Sequence, residues 1–315
     1  MATASRAQPE SVRQEAVDLS IIVPVFNNAA TLDELIDRIV AAVEPLGRSF
    51  EMIFVDDGSR DASFELLERR ARADRRIRAY AMVRNFGSQA AVCAAFDMVR
   101  GRQVVALDAD LENRPEDIPP ILARLDEGYD LVCGYREGRR APLWSRRLPS
   151  ALLNAYVRRQ TGTTIRDIGC GMRGFQAWMV RDLASEAEHR RLLTPLFLRR
   201  ARTVAEVRLT PGAPQPGSSH SFPTLLGLAA DYFMLTARRP FLIAGLLCAA
   251  ALVLGAAAMA AGAWTSGLIV LVGALLGGLI ALVGEYCQRL YALSQGLPFY
   301  QLRRPREDGE QETPM

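Results

Sequence analysis

Asp108 and Asp110 stand two residues apart at the end of an apolar run, with Glu112 two residues further on. Hard oxygen ligands of this kind suit Mg²⁺ or Mn²⁺, and such an ion in turn suits a diphosphate. An Asp-x-Asp alone is equally what an acidic, solvated loop looks like, so its meaning depends on the elements that position it. Val104 to Leu107 has the unbroken apolar character of a buried strand. Pro115-Glu116-Asp117 reads as a helix start, with proline early and acids in the first turn. A strand that ends in carboxylates puts charge at a sheet edge, where open α/β folds bind their ligands.

The preceding chain repeats that layout. Ser20–Phe26 reads as a buried strand followed by a turn at Asn27-Asn28. Thr31 and Glu34 have capping-box spacing, and Leu32, Leu35, Ile36, Ile39, Val40 and Val43 share one helical face. Phe50–Val55 is a second strand ending in Asp56-Asp57-Gly58-Ser59. A helix follows, with Phe64, Leu66 and Leu67 inward and an arginine-rich outer face from Arg69 to Arg76. Ile77–Val83, Gln103–Leu107 and Asp130–Tyr135 are further strands, with Arg84-Asn85-Phe86-Gly87 and an alanine-rich helix after the first of these. Strands alternating with helices predict a mostly parallel sheet covered on both faces. In such a sheet Asn27-Asn28, Asp56-Asp57 and Asp108-Asp110 fall on one edge. Downstream, Asp167–Phe175 contains three glycines and one isolated carboxylate, Asp167.

Composition narrows the partners. The chain has 315 residues, half of them hydrophobic, and a net charge of only +3, which gives no bulk attraction to nucleic acid. Every basic residue is arginine. The five cysteines form no C-x-x-C pair, and two histidines are too few for a histidine metal site. Residues 1–18 are polar, lack the apolar core of a signal peptide and are expected to be a disordered tail. From Pro240 to Gly284 there is no charged residue. One helix of that length would be about 68 Å long against a bilayer core of about 30 Å, so two spans with a turn at Gly262–Gly267 fit better. Arg238 and Arg239 precede the run and Arg289, Arg303, Arg304 and Arg306 follow it, which puts both outer ends in the cytoplasm. Between Gly134 and Arg166 the arginines at 136, 139, 140, 146, 147, 158, 159 and 166 face only one acid, Glu137. Trp144, Leu148, Leu152 and Tyr156 recur there every four residues, the pattern of a membrane-surface helix. A nucleic-acid site is the competing reading, and the apolar stretch downstream favours the membrane. Phe222–Ala237 reads as a second interfacial helix, after a loop at Pro211–Ser219.

The series IIVPVFNN, FVDDGS, RNFG, LDADLENRPEDIP, GYR, RRLPSALLN, DIGCGMRGF and GEYCQRLY, in this order between about Ser20 and Arg304, resembles the polyprenyl-phosphate glycosyltransferases of glycosyltransferase family 2. The resemblance implies a GT-A fold over 19–221, an interfacial helix at 222–238, two transmembrane helices in 239–287 and a cytoplasmic tail at 288–315. It implies transfer of a sugar, with inversion, from a UDP- or GDP-linked donor to a polyprenyl phosphate for envelope glycan or lipopolysaccharide modification. Pro24, Val25, Asn27, Asp56, Asp57, Arg84 and Asp108 would face the nucleotide sugar. Asp108, Asp110 and Glu112 would hold Mg²⁺ or Mn²⁺. Arg136, Arg146, Arg147 and Ser150 would hold the acceptor phosphate, and Asp110 and Asp167 would be catalytic, Asp167 mainly as an orienting carboxylate. A bacterial inner membrane location, a catalytic domain facing the cytoplasm and a homo-tetramer are implied too. The chain departs from the family at Glu112, usually Gln; at Asn28, usually Glu; and at Gln215–Ser221, where His220 replaces a lysine. The extra charge of Glu112 is expected to raise metal affinity. Two other readings are a processive polysaccharide synthase, whose Q-x-x-R-W motif is missing, and a non-enzymatic membrane scaffold, which predicts no metal-dependent nucleotide binding.

Overall fold

The computed structural model describes residues 17–136, 165–167, 169–184, 193–210 and 300–303, and helical positions within 269–287. Seven strands, β1 (Leu19–Val25), β2 (Phe50–Asp56), β3 (Ile77–Ala81), β4 (Gln103–Ala106), β5 (Leu131–Arg136), β6 (Arg173–Gln176) and β7 (Val204–Leu209), form one sheet. The helices are α1 (Ala29–Val43), α2 (Ser63–Ala73), α3 (Ser88–Phe96), α4 (Ile118–Asp126), α5 (Ala177–Ala184) and α6 (Leu193–Arg200). The strand order is β3-β2-β1-β4-β6-β5-β7. All pairings are parallel except those of β6, which runs antiparallel to both β4 and β5.

The period of two along the strands separates two apolar layers. Leu19, Ile21, Val23 and Val25 of β1 join Met52 and Phe54 of β2 under α1, α2 and α4. Ile22, Ile53, Val55, Val104 and Ala106 point the other way, under α3, α5 and α6. There Phe96, Phe175 and Phe197 meet with ring centroids 4.5–5.6 Å apart, tying α3 and α6 to β6. β1 and β2 are buried along almost their whole length, as central parallel strands require.

Helix α1 begins two residues before the expected capping box. Asn28 is its N-cap and makes no side-chain cap bond. Thr31 instead donates its hydroxyl to the Asn28 carbonyl (3.1 Å) and to the Ala109 carbonyl (2.8 Å), so it pins the acidic loop. The acids after Pro115 also serve as ties. Arg38 of α1 grips Glu116 with two bonds (2.9 and 2.8 Å), and Asp117 accepts the Thr210 N–H (2.9 Å) and hydroxyl (3.1 Å). Strands β6 and β7 and helices α5 and α6 were not expected from the sequence.

Most of 239–287 lies outside the described residues, as do the interfacial helix and Arg146, Arg147 and Ser150. Among the described residues no helix is long and apolar enough to cross a membrane. A cavity of about 450 Å³ opens at the strand-entry edge, beside Asp18, Arg48, Arg102 and Asp126. Its charges are already paired, Arg48 with Asp126 and Arg102 with Asp18, and it lies at the opposite edge from the Asp-x-Asp.

Candidate active site

The carboxyl ends of β1, β2, β4 and β5 meet at one edge. Because β6 is reversed, its entry, Asp167–Met172, reaches that edge too. Two adjacent clusters result.

The first joins the turns after β1, β2 and β3. The Asn27 N–H donates to Ser59 Oγ (2.9 Å), and Asn27 Oδ1 accepts the Arg60 N–H (2.8 Å). The Asn28 N–H donates to Ser63 Oγ (2.9 Å), while Asn28 Oδ1 accepts the Phe26 N–H (3.1 Å). Asn27 has φ +54, a left-handed conformation that asparagine tolerates. Asp57 is buried and accepts the N–H groups of Phe86 (2.6 Å) and Gly87 (2.8 Å), and its own N–H donates to the Val25 carbonyl (2.8 Å). Gly58 (φ +71) lies so close to the Arg84 carbonyl carbon that a Cβ would sit 2.7 Å from it. The Arg84 guanidinium stacks 4.2 Å from the Phe86 ring. Pro24 and Val25 are in β1, with Val25 buried. Thus the side chains of Asn27 and Asp57, expected on the ligand, are bonded to backbone. Asp56 differs. It is buried, Oδ2 accepts the Ser59 N–H (3.1 Å), and Oδ1 has no partner among the described residues.

The second cluster follows β4. Asp108 and Asp110 sit together, and both carboxyls are pushed up by burial. Asp108 reaches about 6, with the Asp110 charge adding to the effect and Arg136 and Arg173 opposing it. Asn113, buried and absent from the expected set, donates to Asp108 Oδ2 (3.4 Å). Gly171 leaves room for the same carboxylate, since a Cβ there would stand 1.9 Å from Asp108 Oδ2. Leu111 (φ +59) is a left-handed non-glycine between the acids, and the Glu112 N–H donates to Asp110 Oδ1 (2.9 Å).

Glu112, expected on the metal with Asp108 and Asp110, is paired with Arg136 in this structure. Its Oε2 lies 3.2 Å from an Arg136 guanidinium nitrogen, and both side chains are largely buried. Arg136 also donates Nε to Asp167 (3.1 Å) and a terminal nitrogen to the Gly169 carbonyl (3.3 Å). Among the described residues no three His, Cys, Asp or Glu side chains gather as a metal cage. Two crowded carboxylates of raised proton affinity fit a divalent cation that takes its remaining ligands from a diphosphate. The sequence missed Thr31, Asn113 and Gly171 as supports. Only Gly171 carried a signal, in the glycine spacing of its stretch.

The architecture is a GT-A-like α/β fold. Glucosyl-3-phosphoglycerate synthase of Mycobacterium tuberculosis, solved with Mn²⁺, UDP and phosphoglyceric acid, superposes with a TM-score of 0.53 at 23% identity, over 70% of this chain and 79% of that one. Mannosyl-3-phosphoglycerate synthase of Rubrobacter xylanophilus gives 0.52 at 17%, over 71% and 74%. At such identities the likeness is one of fold. The glycosyl transferase family 2 model matches residues 20–185, more than half of the chain, and the chain belongs to that family. Undecaprenyl-phosphate 4-deoxy-4-formamido-L-arabinose transferase of Pseudomonas paraeruginosa is 41% identical over 218 residues, and that of Shewanella sediminis is 37% identical over 216. Each alignment covers 68% of this chain and 64% or 65% of the relative, a little under two thirds of its length.

Proposed function

We propose that the protein transfers a sugar from a UDP- or GDP-linked donor to a polyprenyl phosphate, with inversion at the anomeric carbon. The observation that carries this reading is the meeting of Asp108 and Asp110 with Arg136 and Asp167 at one sheet edge. That meeting supports a reading in which a metal-bound diphosphate lies beside a cation suited to a second phosphate. The names of the family relatives support the acceptor class.

In this reading Asp108 and Asp110 hold Mg²⁺ or Mn²⁺. The bound ion supplies Lewis-acid stabilisation of the leaving diphosphate. Arg136 presents a planar guanidinium that suits a phosphate by bidentate geometry. A phosphate monoester is already largely dianionic at neutral pH, its second pKa being about 6, so the acceptor needs little help from a base. Asp167 therefore acts by holding Arg136, to which it is bonded at 3.1 Å. An acceptor oxygen forms the new bond to the anomeric carbon while the bond to the diphosphate breaks and nucleoside diphosphate leaves. Arg146, Arg147 and Ser150 belong to the same acceptor site in this reading.

The catalytic domain faces the cytoplasm of a bacterial inner membrane, anchored by two spans within 239–287, in a homo-tetramer. Helical residues of that stretch support the anchor. Ile269, Leu276, Ile280 and Val283 are 42–72% exposed and recur at helical spacing, a face that lipid would cover.

The test is direct. Purified full-length chain is given undecaprenyl phosphate, Mn²⁺ and a panel of UDP- and GDP-sugars, and release of nucleoside diphosphate is followed. At least one donor is turned over only when lipid is present, and Asp110→Ala abolishes turnover. Lipid-independent release, or full activity of Asp110→Ala, would refute the assignment.

A further inference from the structure

The entry to β6 touches both halves of the site. Asp167 and the Gly169 carbonyl accept from Arg136, while Gly171 packs against Asp108 Oδ2. Between them lies Cys170, fully buried in the apolar layer that also holds Leu107, Ala109 and Leu111. Its sulfur stands 3.8 Å from Asn113 Oδ1 and 3.9 Å from the Met172 carbonyl oxygen. Asn113 is itself 1% exposed, and its Nδ2 stands 3.4 Å from Asp108 Oδ2. A chain of side chains therefore runs from the thiol, through the amide, to the first carboxylate of the Asp-x-Asp.

The order of atoms in that chain follows from what each can donate. An asparagine amide has a donor end and an acceptor end, and a buried one needs partners for both. Turned over, Asn113 would set its carbonyl oxygen against a carboxylate oxygen and its N–H groups against a thiol that has a proton of its own. Burial pushes that thiol up to about 11, so the sulfur keeps its proton at neutral pH. The thiol thus favours the orientation in which the amide donates to Asp108. Both the amide and Gly171 fall on Oδ2, which leaves Oδ1 as the oxygen for a cation.

We propose that Asn113 is a positioning residue of the metal site, its amide aimed at Asp108 Oδ2 by the Cys170 thiol. The inference rests on the metal reading above and adds to it the two side chains that fix how one ligand is presented. Neither touches the cation or the substrate. They act on the metal half of the site, whereas Asp167 and Gly169 of the same segment act on Arg136.

That division supplies the experiment. Mn²⁺ binding to the full chain in detergent is followed by the electron paramagnetic resonance of the free ion, and the KM for polyprenyl phosphate is measured beside it. The variants are Asn113→Leu, Cys170→Val, Cys170→Ser and the double variant Asn113→Leu/Cys170→Val. Asn113→Leu weakens Mn²⁺ about tenfold, the scale of losing a partner that orients a metal ligand. Cys170→Val keeps the apolar packing, loses the donor and weakens Mn²⁺ about threefold, the scale of one weak hydrogen bond. Cys170→Ser restores a donor and binds Mn²⁺ like wild type. The double variant binds no worse than Asn113→Leu, because the thiol acts through the amide. The lipid KM stays at its wild-type value throughout. Wild-type Mn²⁺ affinity in Asn113→Leu, equal losses in Cys170→Val and Cys170→Ser, or a lipid KM that rises in step with the Mn²⁺ Kd would overturn the inference. The valine and serine variants decide it even where Asn113→Leu does not fold. A wild type that binds no Mn²⁺ would instead sink the metal reading, and this inference with it.

Discussion

Replacing Asp108 by asparagine removes a charge that the metal-free fold holds at a disadvantage. Asp108 titrates at about 6 in the folded chain, against 3.8 for the free side chain, because it is buried beside Asp110. Between those values the folded state binds more protons than the unfolded state, so stability falls as pH rises. The penalty is complete above the folded value and amounts to about 3 kcal/mol there, at 1.36 kcal/mol per unit. At pH 4.5 the same relation leaves about 1 kcal/mol. Asparagine keeps the shape beside Gly171 and an oxygen for the Asn113 amide. Metal-free Asp108→Asn is therefore expected to be more stable than wild type by about 3 kcal/mol at pH 7.5, or roughly 6–12 °C in Tm at 2–4 °C per kcal/mol. The gain shrinks toward pH 4.5. Mn²⁺ at a hundred times its Kd raises the wild type by about 2.7 kcal/mol and leaves the variant unmoved. Thermal unfolding in chelator, over a pH series with and without Mn²⁺, reads all of this. A variant no more stable than wild type at pH 7.5, or a gain independent of pH, would refute the reasoning.

Two further substitutions probe the neighbours. Glu112→Gln removes the carboxylate that pairs with Arg136, making the site one charge more positive. Mn²⁺ affinity, read from the electron paramagnetic resonance of the free ion, should drop about fivefold, while the KM for polyprenyl phosphate falls because Arg136 has one competitor fewer. Unchanged values for both would show that Glu112 is electrically silent. Gly171→Ala drives a methyl to within 1.9 Å of Asp108 Oδ2 and should lower kcat at least about a hundredfold, the scale of a 1 Å displacement at a reacting centre. Gly169→Ala, where the nearest atom is 3.6 Å away, is the control and should stay near wild-type activity.

The parallel half of the sheet was legible because its strands are unbroken apolar runs followed by polar turns, as in Leu19–Val25 and Phe50–Asp56. β6 was not, since Arg173-Gly-Phe-Gln is too short for any period to register. β7 was not either, because its Val204–Leu209 run includes Glu206 and Arg208 and is mostly half-exposed. The Asp-x-Asp could be placed on a strand end from its local sequence. The partner of Glu112 could not, because Arg136 is brought to it only by the lateral order of β4, β6 and β5. Thr31 and Glu34 carried capping-box spacing, but the threonine hydroxyl reaches Ala109, a contact visible only across the edge. Asn27 and Asp57 were legible as members of the cluster. Their bonds to backbone became visible only when the three turns met.

The reversed strand also sets an order of assembly. β6 pairs with β4 across about seventy positions, Ala106 with Arg173 and Gln103 with Gln176. At roughly 5–20 residues per second, a ribosome delivers β6 several seconds after β4. For that interval β4 has β1 on one side and a bare hydrogen-bonding edge on the other, a surface open to wrong pairing. Asp108 emerges early, yet the glycine that makes room for its carboxylate comes with the late strand. The charged edge of the sheet is thus closed by a single late insertion, and a nascent chain stalled before Arg173 has the acids of the site without the frame that brings them together.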